Sequence, residues 1–224
     1  MSIADNLKMV QHKIINAAKS AARAPESVKL LPVTKSVGVE AVQALYNEGC
    51  RCFGENRIEV LNSKKDVLPS DIQWHFIGTL QRKKIRKILA SSQVLHSVES
   101  LKLAEKISQV AVDMQITVEI FLEVNNGEEQ KGGFLPDVLK ESFASIIDLP
   151  NITVVGLMSM APYTDDKTIV ANAFKKTSDL QDELNALQLC QPLTQLSMGM
   201  SNDYELAITE GSTLVRVGSA LYYN

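Results

Sequence analysis

The sequence predicts an α/β fold: a single TIM (β/α)8 barrel with an extra N-terminal helix, residues 1–224 forming one domain. Three observations carry this expectation. Eight short apolar runs alternate with helical segments along the whole chain. Several of those runs are apolar on both faces, as parallel strands covered by helices should be. No low-complexity linker interrupts the alternation. An open doubly wound sheet is the other architecture that such alternation allows.

The elements follow in order. Leu7, Val10, Ile14, Ala17 or Ala18, and Ala21 recur at spacings of three and four, which predicts a first helix that Ala24-Pro25 ends. LLPVT (30–34) is a strand, and VEAVQALYNEG (39–49) is a helix stopped by Gly49. CRCFG (50–54) is a short strand and 56–66 a helix. IQWHFIG (72–78) is a strand before a helix over 80–90. QVLHS (93–97) precedes a helix over 99–111, and ITVEIFLEVN (116–125) precedes one over 135–147. ITVVGLM (152–158) is followed by a long helix with Asp165 and Asp166 in its first turn, where carboxylates suit the positive end of the dipole. Ile169, Ala173, Leu180, Leu184 and Leu187 form its apolar stripe. TQLSM (194–198), a short helix over 203–209 and TLVRVG (213–218) complete the pattern. Almost no chain follows the eighth strand to make an outer helix, and the extra N-terminal helix is placed to cover that gap.

Composition narrows the function classes. Hydrophobic residues make up 45% and charged residues 22%, the balance of a globular protein. A net charge of -3 disfavours broad nucleic-acid affinity. The apolar stretches are too short to cross a bilayer, and MSIADNLKMV has no secretion signal, so a cytoplasmic protein is expected. Cys50, Cys52 and Cys190 read as small buried hydrophobes. With His12, His75 and His96 they show no zinc-ligand spacing.

In a TIM barrel the chemistry gathers at the C-terminal ends of the strands, with phosphate often held beyond strands 7 and 8. Lys35 stands at the end of the first strand. A lysine shielded by apolar walls has a lowered pKa, and a neutral amine attacks an aldehyde to form a Schiff base. Beyond the last two strands, Ser201 offers a hydroxyl, Gly218 allows close backbone approach, and Ser219 adds an amide and a hydroxyl around Arg216. Such a cradle on the opposite rim would hold a phosphorylated aldehyde within reach of Lys35, and pyridoxal phosphate meets both demands. His75 alternates with Trp74 and Phe76 and reads as a hydrogen-bonded histidine inside the barrel. QRKKIRK (81–87) reads as a solvated basic helix face, and NNGEEQKGG (125–133) as a surface loop or a lid with Lys131 reaching inward.

LPVTKSV, FGENR, WHFIGTLQRKK, HSVES, EVNNGEEQKGGF, GLMSMAP, LSMGMSNDYELAI and GSTLVRVGSALY together resemble the pyridoxal phosphate homeostasis (YggS/PROSC) family, in order from about residue 29 onward. The resemblance implies a barrel like the N-terminal domain of alanine racemase, with pyridoxal 5'-phosphate on Lys35 as a Schiff base. It implies Ser201 and Gly218-Ser219 at the phosphate, Arg216 facing the pyridine nitrogen, Asn56 near the cofactor, and Met200 lining the pocket through its backbone. Ser36-Val37, Arg57, Thr79 and Arg82-Lys83 depart from the family's common residues, and none belongs to the Lys35, Ser201 or Arg216–Ser219 set.

A cationic Arg216 at the pyridine nitrogen makes the ring a weaker electron sink. Among Tyr46, Tyr163, Tyr204, Tyr222 and Tyr223, no spacing sets one opposite Lys35 as a second base, and the chain has no room for a second domain to supply one. The expected function is therefore a non-catalytic, monomeric holder of pyridoxal 5'-phosphate in intracellular homeostasis, with apo-enzymes as candidate recipients and neither nucleic acid nor membrane as partner. An amino-acid racemase using Lys35 as its single base is the alternative. A phospho-sugar aldolase would need Glu55 as the acid/base carboxylate beside Lys35.

Overall fold

The computed structural model describes residues 2–127 and 132–223. It contains eight parallel strands: β1 (Lys29–Pro32), β2 (Cys52–Glu55), β3 (Gln73–Phe76), β4 (Val94–Val98), β5 (Val118–Val124), β6 (Ile152–Ser159), β7 (Gln195–Ser197) and β8 (Leu214–Val217). Their order is β1-β8-β7-β6-β5-β4-β3-β2. The first and last strands therefore pair, Lys29 with Leu214 through Pro32 with Val217, which an open doubly wound sheet does not do. Between β1 and β2 closure rests on a single bridge, Val33 to Gly54, at the C-terminal end of the strands. The expected TIM barrel is present, with this seam nearly but not fully laddered.

Helices wrap the outside: α1 (Ile3–Ser20), α2 (Val39–Asn47), α3 (Ile58–Lys65), α4 (Ile85–Leu89), α5 (Leu101–Met114), α6 (Pro136–Ile147), α7 (Lys167–Ala186), α8 (Tyr204–Thr209) and α9 (Ser219–Tyr222). Ser2 and Asp5 form a reciprocal capping box on α1. Its buried stripe of Leu7, Val10, Ile14 and Ala18 docks on the side where an eighth outer helix would lie. Asn6 there donates to the Leu221 carbonyl at 3.1 Å, and Arg23 donates to the carbonyls of Ile208 and Ser212 at 2.8 Å. The apolar core forms two shells. A large outer one fills the space between helices and sheet, and Leu31, Val94, Phe121, Met158 and Leu214 make a smaller inner one within the barrel.

Four local expectations change. Helix α4 is shorter than 80–90, because Arg82–Lys84 form a 3-10 turn before it. Asp166 is the N-cap of α7, its carboxylate accepting from the Thr168 and Ile169 amides, and Asp165 lies outside the helix. Ile169 and Leu187 are half exposed, whereas Ala173, Leu180 and Leu184 are buried as expected, joined on the α7 stripe by Val170, Phe174, Thr177 and Gln181. Cys190 is exposed, and Cys50 and Cys52 are only partly buried, because each sits at the open N-terminal end of the barrel or beyond it.

Candidate functional site

Strand β1 ends where Val33 bridges Gly54, and the chain then turns, the Val37 amide donating to the Thr34 carbonyl at 3.1 Å. Thr34 points into the seam and is fully buried, whereas Lys35 is exposed. The apolar enclosure expected around Lys35 is therefore absent: as the second residue of this turn it stands above the rim instead of inside the wall.

A different lysine is buried beneath it. Lys64 on α3 donates to the Glu55 carboxylate at 2.5 Å and to the Thr34 carbonyl at 2.6 Å. Glu55 also accepts from the Thr34 hydroxyl at 2.9 Å and from the Asn56 amide at 3.1 Å. Burial of two opposite charges is tolerated because nearly every donor and acceptor of the pair is matched. The cluster stitches β1 to β2 where the backbone ladder is thinnest, and it fixes the peptide leading into Lys35. It also commits the Glu55 carboxylate, leaving it no freedom to act as the acid/base group of an aldolase. Ile58, Leu61 and Lys64 recur at intervals of three on the buried face of α3, the one sequence signal by which Lys64 was findable.

Asn56 follows Glu55, and its side-chain oxygen is buried without a hydrogen-bond partner among the described residues. The loop after β3 closes over it through Gly78, where a Cβ would collide with the Asn56 carbonyl. A buried orphan acceptor beside the barrel mouth is a standing place for a ligand donor.

Strands β7 and β8 supply the cradle. Gly199 has φ +89°, and a Cβ there would press on Tyr204 and Ala207, so only glycine lets this loop fold onto α8. The Ser201 hydroxyl accepts from the Gly218 amide at 3.2 Å and the Ala220 amide at 3.4 Å. Ser201, Asn202, Ser219 and Ala220 line a cavity of about 220 Å3, shared with Lys13 of α1. The Met200 amide donates to the Asp203 carboxylate at 2.5 Å. The cradle is also not on the opposite rim, since β8 is the neighbour of β1 in the sheet.

Arg216 lies inside the barrel, 5% exposed. It donates to the Ser197 carbonyl at 2.5 Å, the Ser197 hydroxyl at 2.7 Å and the Ser159 carbonyl at 3.0 Å. Burial lowers its guanidinium to about 10, against the pull of Asp203 and Glu123. Burial, then repulsion from Glu99, pushes the Glu123 carboxyl up to about 6. Asp203 is also raised by burial. Sequence reasoning passed over Glu123, Asp203 and Ser197. Glu123 had one signal, an acid between apolar neighbours on a buried strand.

His75 points into the barrel, as expected, and its Nδ1 lies 2.9 Å from His96 Nε2. His96 is fully buried, stacked on Phe121 at 4.4 Å. Burial lowers His75 to about 4 and holds His96 well below the usual imidazole range, with His75 and Arg216 reinforcing the second. Tyr163 is fully exposed, the Tyr46 hydroxyl binds Asp71 and the Tyr223 hydroxyl binds the Ser36 carbonyl. Lys131 lies outside the described residues. In the basic segment, Lys84 pairs with Glu59 and Arg86 with Asp113, both at the surface. Among the described residues no group of three or more His, Cys, Asp or Glu is placed to hold a metal ion.

This site can be compared with known proteins. Residues 6–224 match the family model described as alanine racemase, N-terminal domain. A protein of Aquifex aeolicus named pyridoxal phosphate homeostasis protein is 38% identical over 224 residues, covering 99% of this chain and 98% of its own. The structure of PipY from Synechococcus elongatus with PLP bound superposes with a TM-score of 0.86 at 32% identity, covering 99% of this chain and 100% of that one. An alanine racemase from Clostridium difficile shares the fold, with a TM-score of 0.74 at 18% identity over 97% of this chain and 56% of its own.

Proposed function

Because the chain belongs to the alanine racemase N-terminal domain family, we propose that it binds pyridoxal 5'-phosphate and serves the homeostasis of that cofactor, without turnover of its own. The reading is supported by its full-length relative named for that role and by the PLP-bound PipY of the same fold. Proposed with it are cytoplasmic residence, a monomeric state, and apo-enzymes as recipients. Among the described residues no helix is long and apolar enough to cross a membrane.

One observation carries the assignment of residues. Lys35, Arg216 and the Ser201–Gly218–Ala220 cradle lie at the C-terminal ends of three adjacent strands, β1, β8 and β7. The donor set fits the ligand. Pyridoxal phosphate offers an aldehyde carbon, a dianionic phosphate and a ring nitrogen with a lone pair. Lys35 supplies the amine for the first. Ser201, Gly218 and Ser219 supply hydroxyls and amides for the second, and Arg216 supplies a fixed cation for the third. Asn56 gives an acceptor to the ligand's rim. Met200 shapes the turn that carries Ser201, its backbone N–H donating a hydrogen bond to the Asp203 carboxylate. When bound, the cofactor contributes an electrophilic carbon and an electron-withdrawing ring. This chain contributes position, charge and a rim lysine open to solvent. Openness at Lys35 suits exchange of a cargo better than protected chemistry, for which closure against water is the rule.

Borohydride reduction of the protein mixed with pyridoxal phosphate, followed by peptide mapping, tests this. The label is expected on Lys35 alone and lost in Lys35→Ala. A label on Lys64 or another amine would overturn the assignment. Alpha-proton exchange of alanine and serine in deuterium oxide tests the absence of turnover, and rapid exchange would refute it.

A further inference from the structure

A line of hydrogen bonds crosses the barrel interior. It runs from Arg216 on β8 to the Ser197 hydroxyl on β7 (2.7 Å), from there to His96 Nδ1 on β4 (3.0 Å), and from His96 Nε2 to His75 Nδ1 on β3 (2.9 Å). Its four members are all buried. Its far end reaches the N-terminal mouth, where His75 lines a cavity of about 560 Å3 with Lys29, Gln73 and Gln195.

The chemistry gives this line one direction. Arginine only donates, so the Ser197 oxygen accepts from Arg216. The single hydroxyl proton of Ser197 is then free for His96 Nδ1, which must accept. His96 carries its proton on Nε2 and donates it to His75 Nδ1, and His75 keeps its proton on Nε2, toward the mouth. Reversing the order would leave the Ser197 hydroxyl accepting twice, with no acceptor recorded for its own proton. Neutral imidazoles are what burial enforces at both positions.

Arg216 depends on this arrangement. Among the described residues no carboxylate pairs with it within 4.0 Å, and the three named bonds all go to neutral oxygens. Glu123 and Asp203 attract it from farther off. The Ser197 hydroxyl is the side-chain anchor among the three, set beside the two backbone carbonyls and opposing that pull. We propose that Ser197 and His96 are positioning residues that aim Arg216 at the ring nitrogen of the bound cofactor and keep that nitrogen unprotonated. This rests on the reading of Arg216 given above.

Two measurements test it, one of them without cofactor. Nitrogen-15 NMR of the histidine rings in the ligand-free protein is expected to show His96 and His75 both as Nε2–H tautomers at neutral pH. In Ser197→Ala, His96 is expected to lose its fixed tautomer, and in Ser197→Thr to keep it. An Nδ1–H tautomer at His96 in the unmodified protein would overturn the chain itself. Ring-nitrogen-15-labelled pyridoxal phosphate then reports the protonation of the bound ring. Ser197→Ala and His96→Leu are expected to move that resonance toward the protonated position and weaken binding roughly tenfold, the scale of losing one hydrogen bond to a charged group. Ser197→Thr is expected to restore both. If the unmodified protein binds the cofactor at Lys35 and Ser197→Ala breaks the tautomer yet leaves the ring resonance and affinity unchanged, the positioning role is refuted. If the unmodified protein binds no cofactor, the functional reading fails while the tautomer result still stands or falls by itself.

Discussion

Replacing Lys64 with methionine is expected to cost this fold far more than loss of a surface lysine. Methionine matches the length of the stem but removes the ammonium. Glu55, fully buried, then keeps its Thr34 and Asn56 bonds but loses the one cation paired with it among the described residues. Stranding one partner of a buried pair costs about 3–5 kcal/mol. The Thr34 carbonyl loses its 2.6 Å donor but keeps the Val37 amide at 3.1 Å, so it adds little to that cost. The expected loss is about 3–5 kcal/mol, a large share of the ~5–15 kcal/mol that holds a typical domain together. Urea unfolding followed by circular dichroism measures it, with the slope checked for constancy. Adding Glu55→Gln removes the stranded charge, so the double variant is expected to recover about 2 kcal/mol or more relative to additive losses. A Lys64→Met loss below about 1 kcal/mol, or simple additivity in the cycle, would refute the account of the seam.

Acid is expected to weaken the fold through the histidine pair. His75 is depressed from 6.5 to about 4, so its stabilisation is complete above pH 6.5 and drains as pH falls toward 4, about 3 kcal/mol in all. His96 acts in the same direction. Glu123, raised from 4.5 to about 6, runs the other way: its contribution is full below 4.5 and lost as pH rises through 6. The clean measurement is therefore the difference between the unmodified protein and His75→Gln across pH 7 to 4, and parallel profiles would contradict it. Gly78→Ala is expected to drive the β3 loop off Asn56, lowering stability by about 1–3 kcal/mol and cofactor affinity with it; equilibrium dialysis reads the second effect. Asn6→Ala removes the bond to the Leu221 carbonyl and is expected to lower the unfolding midpoint by the equivalent of about 1–2 kcal/mol, leaving the Lys35 label intact after borohydride treatment.

What was legible in the sequence follows from which signals are local. All eight strands were found within two or three residues of their observed ends, because short, largely apolar runs between helical stripes have few other readings. The placing of Lys35, Ser201 and Gly218 just beyond strand ends was legible. Long-range geometry was not. The cradle was set across from Lys35, although β8 pairs with β1, because linear order hides the neighbourhood that closure creates. The enclosure of Lys35 was inferred from the apolar LLPV before it, but the turn at Thr34–Val37 lifts the side chain clear. Lys64 was overlooked because a lysine on a helix is ordinarily solvated. Its burial depends on Glu55 from a separate element, and pairing at a distance leaves no trace in composition.

The clasp between α1 and residue 221 has a consequence for how this molecule is made. A ribosome releases Leu7, Val10, Ile14 and Ala18 early, yet the groove they fill includes Leu221, which is 215 positions downstream of Asn6. At usual translation speeds of about 5–20 residues per second, that greasy stripe waits roughly 10–40 s for its partner. Lys35 is likewise born long before β8 arrives beside it. On the function proposed above, a half-made chain still lacks the β8 side of its site, and newborn copies have reason to need a chaperone's shelter until that last stretch emerges.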